Sequence, residues 1–296
     1  MPDPQPPAPL AGPDEPPPIT APAPDATAPR VWRQEILLVL ALSLGASAVA
    51  SLISFTGVLT APGAVAAHTT TLVGSAAPGR PWLDLSWQLF RLVTNLIPVA
   101  LVLHLLARGR EGPRTIGFDA SQPRKDLLRG LAVAAGIGGS GLALYFAARA
   151  AGVNLNVVPA DLPDVWWRYP MLVLFAIQNG VLEEVVVLGF LVHRLSQLGW
   201  SFRATTVTSA VLRGSYHLYQ GIGGFAGNVA MGLIFCWLYR RWGRITPLVI
   251  AHAVIDTVAF AGFTFLTAHD PSLLPHAGPA TAFFRSAVTP AGQDRL

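Results

Sequence analysis

Long apolar runs separated by short polar stretches set the pattern of this chain. Seven runs are long enough, or nearly so, for a helix that crosses a bilayer, which needs about 20 residues. They lie near residues 35–58, 84–107, 127–150, 170–192, 203–219, 222–239 and 245–267. The pattern predicts an all-α fold, a polytopic membrane helix bundle of about seven transmembrane helices. The fifth and sixth runs are short, and only Gln220 and Gly221 separate them.

The loops between these runs alternate in positive charge. The N-terminal flank and every second loop are cationic, with Arg30 and Arg33, then Arg108, Arg110, Arg114, Arg124 and Lys125, then Arg194 and Arg203, then Arg240, Arg241 and Arg244. The intervening loops hold few cations. Because cytoplasmic loops are enriched in Lys and Arg, the pattern predicts an integral membrane protein with a cytoplasmic N-terminus and an outer C-terminus. Lys125 is the only lysine, a bias that favours a bacterial plasma membrane.

Composition agrees with a membrane bundle and excludes other classes. The chain is 52% hydrophobic and 12% charged, with mean hydropathy +0.49, whereas a soluble domain carries about 25% charged residues. Residues 1–30, rich in Pro and Ala, are predicted to form a disordered cytoplasmic tail. Residues 31–268 would form the bundle and 269–296 a flexible C-terminal tail. The net charge of +4 lies in short loops, so it indicates topology and no nucleic-acid partner. The single Cys236 excludes a disulfide framework.

Ionisable side chains occur inside the last four runs, where charge is costly. Glu183 and Glu184 lie together in an apolar stretch from Met171 to Leu191. The other polar groups are Arg213 and His217 in the fifth run, Asn228 in the sixth, and His252 and Asp256 in the seventh. Residues four apart share a helix face. The two glutamates are about 100° apart, so we expect only one of them to point squarely at a given partner.

Convergence of these groups would offset their desolvation. An ionisable group within a membrane costs several kcal/mol unless it is paired, and it marks a functional site by default. We therefore expect one polar site between spans four, five and seven. It could hydrolyse a bond through a glutamate that takes a proton from water. It could also bind a metal such as zinc through Glu183, His217 and His252, or act as a proton relay for transport. A structural ion-pair network is the fourth interpretation.

Three motifs, each on a separate predicted span, resemble the CPBP intramembrane protease family, also called the CAAX protease and bacteriocin-processing or Abi family. The first family motif is Glu-Glu-x-x-x-Arg, often followed by Gly, and the chain keeps Glu183, Glu184 and Gly189. The second is Phe-x-x-x-His, of which His217 is kept. The third is His followed four residues later by Asn or a similar polar residue, which His252 and Asp256 match. The resemblance covers about residues 115–262.

The resemblance implies an intramembrane endopeptidase that opens toward the cytoplasm and acts on a membrane-associated protein or peptide. By this resemblance Glu183 would activate water, and Glu184 would support Glu183 or share its proton. His217 and His252 would supply the second catalytic group and the oxyanion site, with Asp256 assisting His252. Family members have been described both as metalloproteases and as glutamate-dependent enzymes, so no cofactor is certain and a zinc ion stays open.

Two positions depart from the family motifs. Leu188 replaces the motif arginine, and Arg213 replaces the motif phenylalanine. Our hypothesis is a compensating exchange, in which Arg213 neutralises the second glutamate and Asn228 supports the site. Two alternatives remain: a catalytically inactive family member that serves as a membrane scaffold or regulator, and a proton-coupled transporter.

Overall fold

The structure is a computed structural model that describes residues 28–269. Within that range it contains eight helices and two short strands. The helices are α1 (Ala28–Ala41), α2 (Leu44–Thr60), α3 (Pro81–Arg108), α4 (Pro123–Ala150), α5 (Arg168–Gln197), α6 (Phe202–Tyr216), α7 (Ile222–Trp242) and α8 (Thr246–His269). The strands are β1 (Thr69–Gly74) and β2 (Asn156–Asp161). The predicted tails lie outside the described residues, apart from their innermost positions.

The helices confirm an all-α membrane bundle but not a count of seven spans. Five helices are long and apolar enough to cross a membrane, namely α3, α4, α5, α7 and α8. The number rises to six if α1 and α2, which meet at a bend of 47°, form one broken span. The fifth predicted span corresponds to α6, which has only 15 residues. At 1.5 Å per residue it is about 22 Å long, short of a hydrocarbon core of about 30 Å.

A two-stranded parallel sheet, which the sequence pattern does not predict, joins two of the loops. Strand β1 lies between α2 and α3, and β2 lies between α4 and α5. Thr69 pairs with Asn156 and Gly74 with Asp161. The threonines and valines of these segments favour extended backbone. The sheet therefore fixes the loop before α5 against the loop before α3.

Helix α5 is the centre of the bundle. In its most apolar window 67% of the residues are buried, whereas the other candidate spans reach at most 33%. Its packing depends on Gly180, where an added Cβ would lie 2.9 Å from the Val249 carbonyl oxygen of α8. A similar close approach joins α6 to α7 at Gly214, whose Cβ would lie 2.5 Å from Val229. Both glycines lie within four residues of the acidic pair or of Arg213, so they bring the site-bearing helices together.

Two ion-pair networks hold the bundle at the end that carries the cationic loops. Arg244 contacts Asp126 at 2.7 Å and Asp119 at 3.0 Å, which joins the loop before α8 to the first turn of α4 and to the loop that precedes it. Hydrogen bonds from Arg244 and Ser121 hold the pKa of Asp119 well below its ordinary value. In the second network Arg194 of α5 contacts Glu35 and Glu111 at 3.3 and 2.6 Å. Burial opposes ionisation of Glu111, but hydrogen bonds from His193 and Arg194 lower its pKa overall.

The first network predicts a pH-dependent stability. A carboxyl whose pKa is lowered by folding stabilises the protein above its unfolded pKa of about 3.9, and this contribution is lost as the pH falls through the folded value. Asp119→Asn should therefore lower the melting temperature at pH 7, and its difference from wild type should shrink below about pH 4. Thermal unfolding in detergent across this pH range measures the effect. Asp164→Asn is the matched control, because the Asp164 side chain is 94% exposed in its pair with Arg168; an equal loss there would contradict the assignment.

Candidate active site

The two adjacent glutamates lie at a change of helix type in α5. The α-helical part ends at Glu183, and a π-helical segment runs from Glu184 to Val192. Short π-helical segments occur frequently at functional sites. Glu183 is 7% exposed and Glu184 is fully buried. Both carboxylates therefore lie inside the bundle, where the sequence analysis expects them.

One guanidinium contacts both carboxylates. Arg213 of α6 is fully buried, and its Nη2 donates to both oxygens of Glu184 at 2.7 Å. Its Nη1 donates to Oε2 of Glu183 at 3.2 Å. The expectation that only one glutamate could face a given partner is wrong, because the forked guanidinium presents donors in two directions. The face of Arg213 lies 5.4 Å from the ring centroid of Phe235, which adds a cation–π contact.

Tyr216 is a member of the site that the sequence analysis did not single out. Its hydroxyl donates to Glu183 Oε2 at 2.7 Å, and its side chain is buried. It lies three residues after Arg213 on α6, so the two share a helix face. That spacing was a signal in the sequence, although a tyrosine beside a histidine does not by itself indicate a carboxylate partner. Glu183 Oε2 thus accepts two hydrogen bonds.

Tyr216→Phe tests the importance of this hydroxyl. The change removes one of the two donors to Glu183 Oε2 and leaves the ring, so the carboxylate should lose orientation while the core stays packed. We expect a loss of about tenfold in kcat, the size of one hydrogen bond to a charged group, with a small change in melting temperature. Kinetics of peptide cleavage, the activity that the resemblance to CAAX-type proteases implies, measure the first effect, and thermal unfolding measures the second. Tyr239→Phe on α7 is the control, and an unchanged kcat in Tyr216→Phe would contradict the role.

His252 and Asp256 of α8 complete one side of the cluster. Nδ1 of His252 lies 2.8 Å from Glu184 Oε1. Because a carboxylate only accepts hydrogen bonds, this nitrogen carries the hydrogen and Nε2 faces the other way. Nε2 lies 3.8 Å from Asp256 Oδ2, too far for a hydrogen bond. Asp256 instead accepts from the side-chain amide of Asn179 at 3.0 Å.

His217 and Asn228 are held mainly by backbone groups. Nδ1 of His217 lies 3.0 Å from the Arg213 carbonyl oxygen, an acceptor, so Nδ1 donates and Nε2 is left for another molecule. The side-chain amide of Asn228 donates to the Gly224 carbonyl of its own helix at 3.0 Å. This bond does not join Asn228 to the carboxylates. The structure therefore brings together Glu183, Glu184, Arg213, His252 and Asp256, with His217 at the end of α6, and its contacts leave the role of Asn228 a prediction.

A metal ion fits this donor set only in competition with Arg213. Within residues 28–269, Glu183, Glu184 and His252 could hold a metal ion, since one ligand atom from each lies within 4.8 Å of the others. His217, which the sequence analysis included among the ligands, is not in that group. Both oxygens of Glu184 already accept from Arg213, whose guanidinium stays charged in proteins. A divalent ion would bring like charges together, so the carboxylates suit the guanidinium better.

Comparison with known proteins identifies the segment that carries this site. Residues 165–258 match the family model Rce1-like, described as Type II CAAX prenyl endopeptidase Rce1-like. The match confirms the resemblance to CAAX-type proteases that the three motifs indicate. It includes both glutamates, Arg213, both histidines and Asp256, and it spans about a third of the chain. The matched family is one of proteases, which supports a hydrolase. Neither a curated protein nor a solved structure matches the chain.

Proposed function

We propose that the chain is an intramembrane endopeptidase in which Glu183 activates water to hydrolyse a peptide bond of a membrane-associated substrate. One observation carries the proposal: both hydrogen bonds to Glu183, from Tyr216 and from Arg213, end on Oε2. Among the described residues none reaches Oε1, which leaves that oxygen to accept a proton from water. The carboxylate is thus oriented by its neighbours, as a general base must be.

Glu184 has a different role from Glu183. It accepts three hydrogen bonds, two from Arg213 and one from Nδ1 of His252. These donors occupy both of its oxygens, so Glu184 fixes the imidazole of His252 and the guanidinium of Arg213 in place. Supporting carboxylates of this kind orient a histidine and select its tautomer. We therefore assign Glu183 as the general base and Glu184 as the anchor that holds His252 and Arg213 in place.

The reaction balances with the groups present. A water proton moves to Glu183 Oε1 while the water oxygen forms a bond to the substrate carbonyl carbon. The oxyanion that results needs a donor, and Nε2 of His217 or His252 supplies one when that imidazole is protonated, because both ring nitrogens then carry a hydrogen. The proton then passes to the leaving amine as the C–N bond breaks. No step uses a metal ion.

The matched family and the apolar helices support a proposal for the substrate class. The name of that family specifies a CAAX prenyl endopeptidase, and five described helices could cross a membrane. We propose a peptide held at the membrane by a lipid or an apolar segment. A quenched fluorogenic peptide that ends in a farnesylated Cys-aliphatic-aliphatic-X sequence is a suitable probe, and the same peptide without the farnesyl group is its matched control.

The test is a cleavage assay on purified protein in detergent. Wild type should cleave the probe, and Glu183→Ala and His252→Ala should not. Because Arg213 occupies the carboxylates, activity should survive an excess of chelator. Cleavage that stops with chelator and returns with zinc would overturn the metal-free mechanism. Cleavage that persists in Glu183→Ala, or its absence in wild type with both peptides, would overturn the proposed function.

A further inference from the structure

A chain of three side-chain amides leads from helix α3 to Asp256. Asn95 Nδ2 donates to Gln178 Oε1 at 3.2 Å, and Gln178 Nε2 donates to Asn179 Oδ1 at 3.3 Å. Asn179 Nδ2 then donates to Asp256 Oδ2 at 3.0 Å. Gln178 is 2% exposed, whereas Asn95 is exposed and Asn179 is half-buried, so this chain of hydrogen bonds runs from the surface of α3 to Asp256 through one buried amide. We call these residues, Asn95, Gln178 and Asn179, the amide relay.

The relay has one direction because it ends on a carboxylate. An ionised carboxylate only accepts, whereas each amide both donates and accepts. Asn179 must therefore present its nitrogen to Asp256 and its oxygen to Gln178, and the same choice repeats back to Asn95. At each of the three links the amide nitrogen of one residue donates to an oxygen of the next, which agrees with this requirement. Helix α3, which carries none of the ionisable groups of the site, thereby orients a group on α8.

The end of the relay lies beside the histidine that faces Glu184. Asp256 and His252 are one turn apart on α8, and 3.8 Å separates Asp256 Oδ2 from His252 Nε2. An aspartate without another donor would be drawn to the protonated imidazole, in which Nε2 also carries a hydrogen, because buried carboxylates need hydrogen-bond donors. The bond from Asn179 supplies the donor and holds Oδ2 outside hydrogen-bonding distance of Nε2.

We propose that Asn179 is a positioning residue, which retains Asp256 through the amide relay and so leaves His252 Nε2 available to the substrate. The inference rests on the proposed endopeptidase function and deepens it, since it assigns a role to a residue outside the three family motifs. Asn179 lies one turn before Glu183 on α5, so the general base and the residue that positions Asp256 are carried by the same helix.

An exchange of the two side chains tests the proposal. Asn179→Asp places two carboxylates about 3 Å apart and should lower kcat on the farnesylated probe about 10- to 100-fold, with KM within about twofold. The double variant N179D/D256N restores one amide and one carboxylate with their order reversed, and it should recover at least tenfold in kcat. Gln178→Glu keeps the acceptor for Asn95 but removes the donor to Asn179, so it should lower kcat by a smaller factor. Asn156→Asp on β2, a half-buried asparagine that hydrogen-bonds to the Thr69 hydroxyl outside the relay, is the matched control and should leave kcat unchanged.

Thermal unfolding separates this proposal from the proposed function. If wild type cleaves neither peptide, the endopeptidase proposal fails, and the relay is judged by melting temperature alone. Asn179→Asp should then melt at least about 3 °C below wild type, with the exchanged double variant close to wild type. A double variant that recovers neither kcat nor melting temperature would overturn the relay, as would an Asn179→Ala protein with wild-type kcat. With an active wild type, recovery of melting temperature without kcat would show a structural pair only and would also overturn the positioning role.

Discussion

Glu183→Gln should lower kcat by about 10²- to 10⁴-fold, the contribution expected of a general base. The amide cannot take a proton from water, yet its oxygen can still accept from Tyr216 and Arg213, which both end on Oε2 in wild type. The fold should therefore survive, with a melting temperature within a few degrees of wild type. Cleavage of the farnesylated probe, measured with thermal unfolding of the same preparation, checks both halves of the expectation.

Glu184→Gln is the matched comparison for this prediction. Its carboxylate accepts from Arg213 through both oxygens and lies next to His252, and an amide offers only one acceptor oxygen in their place. The variant should lose melting temperature as well as activity. If Glu183→Gln keeps more than a tenth of wild-type kcat, or if the two variants behave alike, the division between base and anchor is wrong.

The pattern of apolar runs was sufficient to predict the bundle because membrane helices need long apolar stretches. It failed at α6, where the α-helix has 15 residues and ends at Tyr216, and the run from 203 to 219 continues into the turn at Leu218–Gln220. Hydropathy records which residues avoid water but not where a helix ends. The two short strands escaped prediction for a related reason, since six residues of loop carry little periodicity.

Spacing identified the members of the site better than it identified their contacts. Four-residue intervals placed Arg213 with His217 and His252 with Asp256, and the structure brings Arg213 and His252 to Glu184 at 2.7 and 2.8 Å. Spacing alone did not identify the carboxylate partners of Tyr216 and Asn179, because these partners are far away in sequence. The pairing of Asn179 with Asp256 joins residues 77 positions apart, a relation that depends on how α5 packs against α8.

Arg213→Ala should be about as damaging as loss of the general base, but through stability. Removal of one partner from a buried ion pair costs about 3–5 kcal/mol, because the remaining charge is left without compensation. Here two carboxylates lose their shared cation, in a protein whose total stability is on the order of 5–15 kcal/mol. We expect a large loss of folded protein, or a folded protein without measurable cleavage, by size-exclusion chromatography and the probe assay. A fully active Arg213→Ala protein would contradict the compensating exchange with Leu188.

A second pair of variants separates charge compensation from simple loss of packing. Arg213→Phe places the phenylalanine of the family motif at this position and removes the cation. Adding Leu188→Arg returns a cation four residues after Glu184, at a position that is fully buried in the core, and restores the motif arrangement. The double variant L188R/R213F should exceed Arg213→Phe in kcat by at least about tenfold, whereas Leu188→Arg alone should destabilise the protein, because it buries a second guanidinium in the hydrophobic core while Arg213 already pairs with both glutamates. A neighbouring leucine gives the control: Leu191→Arg with Arg213→Phe adds the same charge in the same π-helical segment, seven residues after Glu184 instead of four. Equal recovery by both double variants would mean that any buried cation suffices, and no recovery by either would mean that Arg213 acts through its own contacts rather than as a replacement for the motif arginine.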